Sequence, residues 1–141
     1  MDASDRFRAC VPRYLGRAWT PRDGLPPSRL AACEQRLGRP LPASLRALYL
    51  TLGDVAELLT VHNQVLPLAQ LAVDGEYLLF GEENESVVSW GIPLAQLHEP
   101  DPLVWQRNNT PPVEWFSEEK GVLELMLSMW DWYVEIGVLD A

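Results

Sequence analysis

Cysteine and histidine are scarce in this chain, and their scarcity removes several kinds of chemistry together. Cys10 and Cys33 are its two cysteines, and His62 and His98 its two histidines. No C-x-x-C or H-E-x-x-H occurs, and neither histidine is followed at ligand spacing by a cysteine or a second histidine. A metal site is therefore not expected. No G-x-S-x-G, G-x-G-x-x-G or Walker sequence is present either, which leaves no nucleophile elbow and no phosphate cradle. Ser86 or Cys33 would need an oriented base to act as a nucleophile, and nothing brings His98 to either. No apolar run approaches the roughly 18 residues that a membrane-spanning helix requires, and the opening M-D-A-S-D-R-F-R lacks the apolar core of an export signal. The expectation is a soluble cytoplasmic protein whose two cysteines are reduced and at least partly buried.

What the chain has in quantity is apolar surface and acid. Its 141 residues are 48% hydrophobic, with six tryptophans, enough for one sizeable core and a single domain over residues 1–141. The net charge of -9 conceals an asymmetry: residues 1–50 hold nine arginines against Asp2, Asp5, Asp23 and Glu34, whereas residues 51–141 hold only Arg107 and Lys120 against sixteen acids. Part of this imbalance is expected to pair internally, and the surplus acid to form a field for a basic partner. Direct nucleic-acid binding is disfavoured, because the only cluster of basic residues lies on segments patterned as packing helices.

The chain is organised around Glu76 to Leu97. Two apolar runs, Tyr77 to Phe80 and Val87 to Ile92, flank the acidic segment Glu82-Glu83-Asn84-Glu85, which reads as a hairpin of two central strands. Val88, Trp90 and Ile92 share one face of the second strand, which places Trp90 in the core; the competing assignment is an exposed partner anchor. Upstream, Phe7, Val11 and Tyr14 stand at helical spacing with Ser4 or Asp5 as cap, and Pro12 either ends a short helix near Ala9 or follows one that begins near Cys10. Leu30, Cys33 and Leu37 predict a helix over 27–37 closed by Gly38. Leu45, Leu48, Tyr49 and Leu52 predict a second, with Pro42 in its first turn and Gly53 at its end. Residues 54–75 fit helix or strand. P-L-A-Q-L occurs at both Pro67–Leu71 and Pro93–Leu97, which reads as two similar strand exits rather than a structural repeat. Asp101–Trp105 and Val113–Phe116 are further strand candidates, and Ser117 is the expected cap of a mostly buried helix over 118–135.

The helical pair joined by G-R-P-L-P, then E-N-E-S-V-V-S-W-G-I, D-P-L-V-W, a W-F strand and a C-terminal helix resembles the SUKH superfamily of SMI/KNR-like domains. The resemblance spans about residues 27–135 and rests most on Gly38–Pro42, Glu83–Ile92 and Asp101–Trp105. Glu85 stands where the family pattern has Gln, and Leu103 where a second Pro is common. The resemblance implies an α+β single domain with helices packed on a curved, mostly antiparallel or mixed sheet. It also implies no catalytic residue and no cofactor, and a bacterial immunity function: binding and neutralising a cognate protein toxin domain, of which a basic nuclease is one kind. A regulatory scaffold of the same fold that recruits a cellular protein is the alternative. Loop acids are the residues such a partner would meet, so Glu82, Glu83, Asn84, Glu85, Glu99 and Asp101 are the candidate partner-binding set, expected to form one negative surface. As paired carboxylates they also invite comparison with glycosidases, but adjacent loop glutamates are far more often a solvated surface.

Overall fold

In the computed structural model, which describes residues 2–140, the chain is an α+β domain with one antiparallel sheet. Helix α1 covers Ala3–Leu15, buries Phe7, Cys10, Val11 and Tyr14, and ends at Gly16. Its cap is Asp2, which accepts from Asp5 N–H at 2.9 Å, rather than Ser4 or Asp5. The helix runs through Pro12 instead of stopping beside it. A proline in a helix interior costs about 3 kcal/mol, and four buried side chains at roughly 1.5–3 kcal/mol each outweigh it. Pro12 lies on the exposed side of the helix.

The connection to the next helix is tied down by Asp23. Both of its carboxylate oxygens accept from Arg17, and Thr20 N–H adds a third bond. Bonding to the guanidinium, helped by Thr20, holds the Asp23 carboxyl below its usual range against the opposing push of burial. Because the unfolded chain binds this proton more readily, the stabilisation is present at neutral pH and is lost as the pH falls through the ordinary carboxylate range to the lower folded value. Asp23→Asn is therefore expected to lower stability at pH 7 and to flatten the acid limb of a pH–stability curve; an unchanged limb in urea melts from pH 7 to pH 3 would contradict this.

Helices α2 (Pro27–Leu37) and α3 (Ala43–Leu52) form the expected hairpin, and Glu34 Oε2 secures the turn between them by accepting from Leu41 N–H at 2.6 Å. Leu45, Leu48, Tyr49 and Leu52 are all buried. The ambiguous stretch that follows resolves into α4 (Ala56–Leu59), β1 (Gln64–Val65), a 3-10 turn over Leu68–Gln70 and β2 (Ala72–Asp74). Then come β3 (Tyr77–Glu82), β4 (Val88–Pro93), β5 (Trp105–Asn108), β6 (Glu114–Ser117) and α5 (Val122–Glu135). The sheet order is β1-β3-β4-β5-β6, with β2 also on β3, so the hairpin strands β3 and β4 are central as the sequence predicts. Each P-L-A-Q-L places a 3-10 turn directly after its proline.

Two boundaries differ from the sequence reading. Asp101–Val104 is a connector rather than a strand, and its Asp101 Oδ1 accepts from Val122 N–H at 3.2 Å, holding the start of α5. Helix α5 accordingly begins at Val122, not at Glu118. Residues 118–120 instead form an irregular end to the β5–β6 pairing: Glu118 N–H donates to Val104 O, Val104 N–H to Lys120 O, and Glu119 between them takes a positive φ of 58°. Gly121 makes this junction possible, because a Cβ there would lie 2.4 Å from the Asp101 carboxylate oxygens.

One face of the sheet packs on the helices around Trp130, which is fully buried, meets Phe7 edge-on and donates from Nε1 to Leu58 O at 2.9 Å. Tyr133 lies beside it and accepts from Asn63 N–H; burial pushes its hydroxyl up to about 12. On the opposite face Tyr77 of β3 and Trp115 of β6 stack at 3.6 Å over β4 and β5, where Gly91 leaves room: a Cβ there would meet Trp115 at 3.2 Å. Cys10 and Cys33 are both buried and unpaired, and burial pushes the Cys10 thiol up to about 11. A thiol held protonated and shielded is a poor nucleophile. An aromatic disulfide reagent at pH 8 is expected to titrate no cysteine in the native protein and two after denaturation; rapid labelling of the native chain would contradict this.

Candidate functional site

The hairpin connection is built by its own side chains. Glu83 N–H donates to Val88 O, Ser86 N–H donates to Glu83 O, and Ser86 takes a positive φ of 60°. Glu83 Oε1 accepts from Glu85 N–H at 2.9 Å and Val87 N–H at 3.3 Å, so this carboxylate organises the turn from inside. Asn84 N–H donates to Asn63 Oδ1, which fastens the loop to the segment before β1. Asn84 and Glu85 are exposed, while Glu82 and Glu83 are half-buried.

The six candidate residues do not form one surface. Glu82 and Ser89 pair at the loop end of the β3–β4 ladder, whereas Tyr77 and Pro93 pair at the other end, from which the chain leads to Glu99 and Asp101. Glu82, Glu83, Asn84 and Glu85 therefore stand at one end of this ladder, roughly 17–20 Å long for a six-residue strand, while the chain leaves for Glu99 and Asp101 from the other. Asp101 is moreover occupied at the head of α5. Only the loop set remains as a candidate partner surface.

Beside that loop lies a groove of about 350 Å³ that the sequence reading did not anticipate. One wall is α5, presenting Leu125, Ser128, Met129 and Trp132; the floor is Val88, Trp90 and Gln106 of the sheet. Glu83 and Asn84 close one end, and Glu118 and Lys120 the other. The wall exists because α5 is apolar on two sides. Val122, Met126, Trp130 and Tyr133 face the core, while Leu125, Met129, Trp132 and Ile136 form a second stripe at spacings of four, three and four. Trp132 remains 45% exposed, held edge-on by His62, and Ile136 is equally exposed. Glu124, Asp131 and Glu135 are exposed and Ser128 half-buried along one polar stripe of this otherwise apolar helix, and Trp132 is the apolar residue of α5 that is exposed beside it.

A signal for it stood in the sequence. Trp130 and Trp132 are two positions apart, about 200° around a helix of 3.6 residues per turn, so one core cannot bury both. Trp115 and Phe116 are neighbours on a strand and must likewise face opposite ways; Trp115 turns to the Tyr77 side, leaving Phe116 48% exposed on the groove side. Trp90 is 8% exposed, a core residue at the groove floor, and its Nε1–H donates to Glu118 Oε2 at 2.7 Å.

The groove is suited to gripping a side chain: it offers apolar surface, a rigid aromatic and carboxylates at both ends. Two other hollows are already engaged. Near α2, Arg36 is bonded to the Leu68 and Leu71 carbonyls and Cys33 to Leu68 O. The hollow beside the start of α1 contains Asp2 and Asp101, both used in bonding helix N-termini. Among the described residues no group of three or more His, Cys, Asp or Glu is placed to hold a metal ion, and no helix is long and apolar enough to cross a membrane. No protein-family model, curated protein or solved structure matches the chain.

Proposed function

We propose that this chain is a non-enzymatic protein-binding module: an immunity protein that acts in the cytoplasm by binding a cognate bacterial toxin domain and covering its active surface. The observation that supports it most is the groove, where an exposed tryptophan and an apolar helix face stand beside the Glu82–Glu85 loop on a strongly acidic protein. Partly exposed aromatics with apolar neighbours are the usual anchors of protein interfaces, and carboxylates around them select a basic partner. A toxin domain that attacks nucleic acid needs a basic cleft to hold phosphates, so an acidic inhibitor is steered toward that cleft and fills it.

The direct test is co-expression with the toxin domain encoded beside its gene: protected growth is expected, and unrelieved toxicity with both proteins soluble overturns the proposal. Steering has its own test. Reversing Glu82 and Glu85 to lysine, while keeping Glu83 for the turn, is expected to slow association about tenfold at low salt and to flatten the salt dependence. Stopped-flow rates that do not change across a salt series would remove the loop from the encounter surface.

A further inference from the structure

Strand β6 has a partner on one side only. It pairs with β5 and ends the sheet. Glu118 N–H donates to Val104 O at 2.9 Å, and antiparallel alternation from that pair makes Phe116 with Gln106 and Glu114 with Asn108 the hydrogen-bonded pairs. Trp115 and Ser117 therefore turn their backbone N–H and C=O groups to the open edge. On the groove side the edge presents Glu114, Phe116 and Glu118 at alternate positions, an acid–aromatic–acid row with Phe116 48% exposed. Natural edge strands are blunted by being short, by charged side chains, especially lysine, by proline or by a bulge. Here Pro111 and Pro112 precede β6, the strand is four residues long with Glu114 as its one charge, and Glu119 just beyond it takes a positive φ of 58°; Glu114–Ser117 itself holds no lysine, proline or bulge.

We propose that β6 is a strand-addition site that takes an extended segment of the partner in which two basic residues flank an apolar one at alternate positions. The proposal rests on the protein-binding function above and specifies how that partner docks. Cross-strand neighbours on one face interact directly, so the acid–aromatic–acid row of β6 is matched by a basic–apolar–basic row on the incoming strand. The incoming backbone bonds to Trp115 and Ser117, as in other cases of strand addition. Charge also argues against a second copy of this chain as the occupant. An antiparallel β6–β6 pair centred on Phe116 would set Glu114 opposite Glu118 twice, and like charges directly opposite are destabilising.

The test uses the full chain and a synthetic peptide with a Lys-Thr-Val-Thr-Lys core, read by amide hydrogen exchange at single residues. At millimolar peptide, exchange at the Trp115 and Ser117 amides is expected to slow at least tenfold. Of two analogues N-methylated at alternate positions, one is expected to lose this effect, because only one set of peptide amides faces β6. Glu114→Lys, which leaves Glu118 in place, is expected to weaken the response to the lysine peptide and to create one to a core with glutamate at one flank and lysine at the other. Exchange that stays unchanged, or slowing retained with both methylated analogues, overturns the proposal; concentration-dependent protection of these amides without peptide does so in favour of a second copy. If co-expression protects cells while the peptides leave β6 untouched, strand addition fails and the immunity function stands. If the peptides bind and co-expression gives no protection, the edge stands and the immunity function fails.

Discussion

Trp90→Ala is expected to lower the unfolding free energy by about 3–5 kcal/mol, the cost of emptying a large aromatic site in a packed core. The ring is 8% exposed and packs among Phe80, Leu125, Met126 and Met129, with Gly81 passing under it: a Cβ on Gly81 would lie 3.4 Å from Trp90 Cε3. The neighbours come from β3 and α5, two elements fixed by other contacts, so the space has little freedom to collapse. Trp90→Phe separates the two contributions of this residue. It retains most of the ring while leaving Glu118 without the indole N–H, and a loss of about 1 kcal/mol is expected, since the half-buried carboxylate turns to water. Urea melts of both variants measure the difference. A loss below 1 kcal/mol for Trp90→Ala would mean that Trp90 is not a core residue.

Trp132→Ala has the opposite signature. Its ring is 45% exposed, with His62 and Tyr133 beside it, so truncation removes surface rather than core. Stability is expected to change by less than about 1 kcal/mol, as for most substitutions away from a core. Affinity for the proposed toxin partner is expected to fall by about 2 kcal/mol or more, roughly 30-fold, because an exposed tryptophan on a groove wall is a typical interface anchor. Calorimetric titration with the toxin domain reads the second quantity and thermal unfolding the first. A binding constant within threefold of the parent's would exclude Trp132 as an anchor.

These two tryptophans also show what the sequence made legible. Trp90 shares a strand face with Val88 and Ile92, a period-2 pattern that needs no tertiary knowledge, and the hairpin around it was readable with its central place in the sheet. The α2–α3 pair was equally readable from its apolar stripes and terminal glycines. Boundaries failed where a tertiary bond overrode a local signal. Ser117 and the acids after it resemble a helix start, yet the bonds of Glu118 and Lys120 to Val104, with Glu119 at a positive φ between them, defer the helix until Asp101 takes the Val122 amide. Pro12 failed for a related reason, since burial of α1 outweighs one lost helical bond. The loop acids were found as a group, but composition could not reveal that Glu83 is turned inward or that Glu99 and Asp101 lie at the far end of β4. The groove was missed because it is formed by the spare face of α5 together with Val88, Trp90 and Gln106, residues far apart in the chain that only the fold brings together.

The account comes down to where the proposed partner sits, and amide hydrogen exchange of the whole chain, with and without that proposed toxin partner, measures this most directly. Slowed exchange is expected in the loop over 82–87, in β6 and along α5 from Met129 to Glu135. Protection confined to α2 and α3, or to the Tyr77–Trp115 face with the groove unchanged, would contradict it.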